Sequence, residues 1–279
     1  MTDIIKLLWD AVLIIVIFLS LLYAALYIFQ EAMLFHPQPL TPVTLDWTRK
    51  NFPNAEVKLS ANDGTILHGW VYIPSGPGPY PLLLFFGGNA DEMSSYLYMH
   101  KEFSGWAMGA INYRGYGLSQ GQPTQQTLLA DALDIYDELA QRSRIDSSRI
   151  VAFGRSLGTG IAVYLAAKRS LQGIILVSPY DSIRALAQKF NPYAPIGLLL
   201  KHPFDSLTLA PKINIPMLAL VGAKDTLISP RHSKHLVNAW GGSTTLHIIS
   251  GANHNTIIHD IKSGESIKII KQFLRSIEN

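Results

Sequence analysis

In RIVAFGRSLGTG, residues 149–160, a short apolar run ends at Gly154 and gives way to small residues that continue to Arg169. The run has the length and composition of a strand buried on both faces, and the stretch Thr159 to Arg169 has helical character. Between them stands G-x-S-x-G. The turn it makes is tight, and glycine at 154 and 158 removes the side chains that would collide there. A strand–turn–helix of this kind raises the serine hydroxyl above the sheet, with a helix N-terminus beneath it. Ser156 is therefore a candidate nucleophile, and the helix that follows favours negative charge developing beside it. Taken alone, G-x-S-x-G recurs by chance, and the bland reading is a glycine turn whose serine caps a helix. The buried strand before it and the helix after it favour the nucleophile.

Outward from this turn, the chain alternates strands and helices. Val57 to Ser60 and Thr65 to Ile73 predict a hairpin around Asn62-Asp63-Gly64. Leu82 to Phe86, Ala107 to Tyr113, Gly173 to Val177 and Pro216 to Val221 predict short buried strands, and Thr245 to Ile249 closes the series. Asp91 to Phe103 could be helical. Leu128 to Ala140 has helical spacing, with Leu129, Ala132, Leu133, Tyr136 and Leu139 on one side, and Glu265 to Ile277 predicts a terminal helix with Ile269, Ile270 and Phe273 inward. This pattern predicts an α/β fold: a mainly parallel sheet with helices on both faces, binding ligands at the carboxyl ends of its strands. Residues 180–212 interrupt the alternation with four prolines, and are read as a small cap insertion, the alternative being one crossover helix with irregular flanks.

The 279 residues suffice for one large α/β domain and a short appendage. Hydrophobic residues make up 48% and charged residues only 15%, a low share for a soluble protein. Ala11 to Gln30 accounts for it: twenty residues without a charge, enough for a helix of ~30 Å, the thickness of a bilayer core. Trp9, Tyr23 and Tyr27 lie towards its ends, where amphipathic rings favour the interface. A cleaved signal peptide is disfavoured by the length of the run and the lack of a small-x-small site; a buried soluble helix is disfavoured by the lack of a polar face. Residues 1–32 are read as a single-pass membrane anchor, 33–55 as a proline-rich linker and 56–279 as the α/β domain. Lys6 before the helix and Glu31 after it favour the N-terminus inside and the domain on the periplasmic or extracytoplasmic side.

The absence of cysteine excludes disulfides, a thiol nucleophile and thiolate metal sites. The net charge of +3 is spread without a basic run, so no nucleic-acid partner is expected.

FFGGNA (85–90), NYRGYGLSQG (112–121), GRSLGTG (154–160) and VSPYDS (177–182) resemble the corresponding segments of the α/β-hydrolase superfamily. The closer resemblance is to its membrane-anchored Bem46-like branch and to the serine aminopeptidase-like hydrolases, and it covers roughly residues 56 to 279. It implies a Ser-His-Asp triad in the chain order serine, acid, histidine. Asp225, in VGAKD after a buried strand, matches the acid, with Asp181 as its rival; Asp181 could instead bind backbone amides or sit near the pocket mouth. His254, in GANHN after the last strand, matches the base, whereas His247 and His259 lack the loop placement. His232 and His235 have no carboxylate in pattern and are read as a solvated helix face rather than a metal site. The oxyanion donors implied are the amides of Leu157 and Asn89, with Ala90 the neighbouring possibility. Where many relatives carry His-Gly this chain has Gly87-Gly88, which leaves the backbone donor in place. Arg114 in R-G-Y-G is expected to bridge loops structurally. No organic cofactor or metal is implied. The expected activity is cleavage of acyl esters or thioesters on a small-molecule or lipid-like substrate, with peptide hydrolysis as the alternative and a non-catalytic membrane-anchored binding protein as a different class.

Overall fold

The computed structural model describes residues 2–257 and 264–278. Its centre is one eight-stranded sheet in the order β1-β2-β4-β3-β5-β6-β7-β8, with strands β1 (Glu56–Ser60), β2 (Ile66–Tyr72), β3 (Tyr80–Phe86), β4 (Ala107–Ile111), β5 (Ile145–Arg155), β6 (Gly173–Val177), β7 (Met217–Gly222) and β8 (Thr244–Ile249). The hairpin pairs Glu56 with Trp70 and Ser60 with Ile66, and β2 runs antiparallel to β4; every pairing from β4 to β8 is parallel.

The parallel strands are apolar throughout because both faces are covered. Leu82, Leu84 and Phe86 point into one layer and Leu83 and Phe85 into the other. The first layer holds the helices that carry Ile135 and Leu139 (Gln125–Ala140) and Ile161 and Leu165 (Leu157–Ala166). The second holds a 3-10 helix (Met93–Lys101) and the C-terminal helix (Glu265–Ile277), whose Ile270 and Phe273 are buried as their spacing predicts. Burial of this kind contributes about 25 cal/mol for each Å² of apolar surface removed from water.

At the N-terminus, α1 (Thr2–Leu34) is a single helix long and apolar enough to cross a membrane, and its apolar stretch is not buried against the rest of the protein. The expected linker is only partly irregular: residues 42–51 form a helix, α2 (Pro42–Asn51). The prolines do not prevent it because Pro42 occupies the first helical position, where no amide hydrogen bond is lost, and the Thr41 hydroxyl accepts from the Thr44 amide at 3.2 Å. The ring of Trp47 stacks on Tyr98 at 4.7 Å, so the segment packs on the domain. Asp91 to Phe103, expected as a helix, is instead the 3-10 helix already noted; Glu92 caps it, and the Asn112 side chain accepts from the Met93 amide at 3.0 Å. Residues 180–212 hold three short α-helices, Ile183–Phe190, Ile196–Leu199 and Ser206–Leu209, and a 3-10 helix, Ala210–Lys212.

Glu56 joins α2 to the hairpin. It accepts from the Arg49 guanidinium at 2.7 and 2.9 Å and meets the ring of the buried His68 at 3.0 Å. The Arg49 contact, helped by His68 and opposed by burial, lowers its pKa from 4.5 to about 2. A folded value below the unfolded one contributes stability above pH 4.5 that is lost as the pH falls towards 2. Acidification from pH 5 to pH 3 should therefore cost the wild type about 1 kcal/mol more than Glu56→Gln, read by denaturant unfolding in detergent. Equal losses in the two proteins would show that the ion pair carries no linkage.

Candidate active site

Ser156 stands between β5 and the helix Leu157–Ala166 with φ 50° and ψ −119°, a state that L-residues rarely adopt. Packing fixes it there. The Ser156 amide donates to the Val177 carbonyl of β6 at 2.9 Å. A Cβ on Gly154 would lie 2.7 Å from the Gly158 carbonyl oxygen, and one on Gly158 would overlap the Phe86 carbonyl of β3. Both glycines of the motif are thus needed for close backbone approach, as the sequence predicts.

Asp225 follows β7 and His254 follows β8. These strands pair along their length up to Gly222 and Ile249, so the loops beyond them emerge side by side. They are laced together: the Ala223 amide donates to the Ile249 carbonyl at 3.0 Å and the Lys224 amide to the Ala252 carbonyl at 2.8 Å. The Asn253 side chain accepts from the amides of Asn255 and Thr256, both at 3.0 Å, and shapes the turn that carries His254. His254 Nδ1 lies 2.8 Å from Asp225 Oδ2 and Nε2 lies 3.0 Å from Ser156 Oγ. With Nδ1 protonated and donating to the carboxylate, Nε2 is left to accept from the serine hydroxyl. Burial pushes the Asp225 carboxyl up, but the His254 ring and the Ile228 amide, which donates to Oδ1 at 2.8 Å, outweigh it and hold its pKa below the ordinary value. It stays ionised at neutral pH.

The rival acid faces elsewhere. Asp181 lies 2.9 Å from His232 Nδ1 and 3.3 Å from His235 Nδ1, and accepts from the Ser182 amide at 2.7 Å. This corrects the expectation of a solvated face for His232, which is buried and takes its carboxylate from a residue 51 positions away that no local pattern reveals; His235 is exposed, as expected. His247 lies on β8, and His259 lies outside the described residues. Arg114 does bridge loops, pairing with Asp131 and with Asp63 at 2.6 Å. Among the described residues no three His, Asp or Glu side chains converge as metal ligands would.

The loop after β3 brings Asn89 to the same cavity as Ser156 and Leu157. Tyr113 Oη donates to the Gly87 carbonyl at 2.8 Å and Tyr116 Oη to the Asn89 carbonyl at 2.7 Å. The backbone amides of Asn89 and Leu157 have no acceptor among the described residues. Ala90 is exposed and lies outside the cavity wall. Two residues of this site escape sequence reading. Asp91 accepts from the Gly88 amide at 2.7 Å, from Tyr96 Oη at 2.7 Å and from Arg155 Nη1 at 2.9 Å. Arg155, the first of the two variable residues of the G-x-S-x-G motif, thus ties the serine turn to the Gly87–Asn89 loop. Burial raises the Asp91 pKa, but Arg155 and the Gly88 amide outweigh it and leave it lowered.

The cavity above Ser156 holds about 380 Å³. The cap lines it with Ile183, Leu186, Phe190 and Leu199, and α1 with Leu26 and Met33.

Residues 78–203 match the family model described as serine aminopeptidase, S33. The α/β-hydrolase domain-containing protein WAV2 of Arabidopsis thaliana is 30% identical over 241 residues, 76% of each chain. Protein bem46 of Schizosaccharomyces pombe is 28% identical over 215 residues, 74% of this chain and 72% of its own. Among solved structures, the Pyrococcus furiosus esterase Pf2001 superposes with a TM-score of 0.67 at 18% identity, covering 88% of this chain and 98% of its own, a likeness of fold alone. The chain belongs to the α/β-hydrolase family. Within it, the likeness is to the Bem46-like branch.

Asp91→Ala leaves the Arg155 guanidinium largely buried without its partner, and should lower unfolding stability by about 2 to 4 kcal/mol. Replacing both in Asp91→Ala/Arg155→Met should recover most of that loss. A double variant no more stable than the single one would show that Asp91 acts through the loop rather than through the charge.

Proposed function

We propose that the protein is a serine hydrolase that cleaves acyl esters or thioesters, with Ser156 as nucleophile, His254 as general base and then acid, and Asp225 holding the imidazole. The observation that carries this reading is the unbroken hydrogen-bonded line Asp225–His254–Ser156 ending in an apolar cavity. His254 Nε2 takes the proton as Ser156 Oγ bonds to the carbonyl carbon. The amides of Leu157 and Asn89 donate to the oxyanion, and the Ser156 turn supports this by presenting the helix N-terminus to the same point. The bond to the leaving alcohol or thiol breaks as His254 returns the proton to it. Water, deprotonated by His254, then attacks the acyl carbon; the bond to Ser156 Oγ breaks, His254 returns the proton to that oxygen and the acid leaves. No step requires a cofactor or a metal.

Peptide hydrolysis is the second reading and rests on the family description. The cavity wall weakens its aminopeptidase form: among the described residues no Asp or Glu lines it, and a free α-ammonium favours one. We read α1 as a single-pass anchor, with residues 56–279 as the hydrolase domain and the domain on the extracytoplasmic side.

Ser156→Ala should lower kcat/KM for p-nitrophenyl esters by about 10³-fold or more, with Asp225→Asn and His254→Ala each losing about 10³-fold or more, and should abolish labelling by a fluorophosphonate. Retained hydrolysis in Ser156→Ala would place the nucleophile elsewhere, and wild type that neither hydrolyses nor labels would favour the non-catalytic reading.

A further inference from the structure

We infer that the cavity at Ser156 takes the acyl chain of an ester resident in the same bilayer as α1, and that the last turns of α1 are a wall of that binding site. The inference rests on the serine-hydrolase reading and on α1 as a membrane span. Leu26, Gln30, Met33 and Leu34 line the cavity together with Ser156 and Leu157. A helix that served only as a tether would end before the catalytic cavity and would have no reason to seal it.

The junction is built rather than incidental. Gln30 Nε2 donates to the Leu199 carbonyl of the cap at 3.1 Å, and its Oε1 accepts from the Lys201 amide at 2.7 Å. Glu31 Oε1 meets Lys201 Nζ and His202 Nε2, each at 3.3 Å, and Lys201 Nζ lies 4.5 Å from the centre of the Tyr27 ring. On the other side, the His36 amide donates to the Asn89 carbonyl at 3.0 Å and Asn89 Nδ2 to the Leu34 carbonyl at 3.3 Å. The end of α1 is therefore fastened both to the cap and to the loop that carries the Asn89 amide.

The position of this junction along α1 sets its depth. The uncharged run 11–30 matches the ~30 Å hydrocarbon core, so residues 26–34 fall at one edge of the span, where ester linkages lie between tails and headgroups. The cap and the loop after β7 expose further apolar surface beside the cavity: Tyr193, in the turn between two cap helices, is 95% exposed and Leu198 87%, while Phe190 of the cap and Leu227 of the loop are about half-exposed. Continuity with α1 assigns this surface to lipid. An acyl chain can then pass from hydrocarbon to Ser156 along apolar side chains, while a charged headgroup stays in water, since among the described residues His202 is the one titratable group apart from tyrosine that lines the cavity.

The test uses full-length protein reconstituted in phosphatidylcholine vesicles with fluorogenic esters of four- and sixteen-carbon acids. For the wild type, kcat/KM should rise with chain length, by up to about fourfold per methylene buried. Met33→Trp and Leu26→Trp fill the wall and should each lower the ratio of long- to short-chain kcat/KM at least tenfold. Ile14→Trp, on an exposed part of the span, should leave that ratio unchanged. Fluorophosphonate labelling of Ser156 reports that each variant is folded. A non-exchanging diacyl fluorogenic lipid should be cleaved at least tenfold faster in the enzyme's own vesicles than in separate ones. An unaltered ratio in both tryptophan variants would overturn the wall, and equal cleavage in shared and separate vesicles would overturn the bilayer source in favour of a soluble acyl donor. Wild type that fails to label and cleaves neither ester would instead overturn the serine-hydrolase reading, and this inference with it.

Discussion

Ser156 holds its backbone at φ 50° and ψ −119°, and the site is organised around keeping it there. The strain is of the order of 1–3 kcal/mol, and it persists because β3, β5 and β6 surround the turn with backbone that leaves no room for relaxation. The Val177 carbonyl takes the serine amide, and the Phe86 carbonyl packs where a side chain at 158 would be. These contacts exist because β3, β5 and β6 are adjacent and in register, Phe86 opposite Gly154 and Gly154 opposite Leu176. The buried apolar faces of those strands fix that register. A core made of Leu, Ile, Val and Phe thus determines where one hydroxyl points.

The same sheet places the other members. Moving from β5 through β6 and β7 to β8, successive carboxyl ends carry Ser156, then Asp181, then Asp225, then His254. Asp181 has the position of an acid in this sequence of loops, but the cap and the helix Pro230–Ala239 engage it through His232, and the ring of His254 turns to Asp225 instead. Two carboxylates and two histidines, His232 buried and His254 partly so, sort into separate pairs by which loop each side chain leaves. One pair faces the cavity that holds Ser156; the other fastens the cap segment to the helix behind it.

Much of this was legible in the residues. LLLFF, GIILV and the run before Gly154 could only be strands with both faces covered, and G-x-S-x-G between strand and helix carried its own geometry. The acid and base positions came through the resemblance to a family rather than through spacing, because Asp225 and His254 meet Ser156 only after the sheet has assembled. Other features gave no local sign. Asp91 and Arg155 are 64 positions apart, and nothing near either announces the other. Asp181 and His232 escaped for the same reason. Helix α2 was hidden by Pro42 and the prolines flanking it, although Thr41-Pro42 is itself a helix-start signal. For α1, composition revealed a span but not where its last turns pack, since Leu26 and Met33 look the same facing lipid or facing a cavity.

The central claim is that Ser156 carries the acyl group during turnover. Acid quench of the wild-type protein within the first turnovers of a slowly deacylated ester, followed by peptide mass spectrometry, tests it directly. The account predicts one acyl group, on the peptide containing Ser156 and on that residue. Turnover with no acylated peptide, or with the acyl group on another residue, would contradict it.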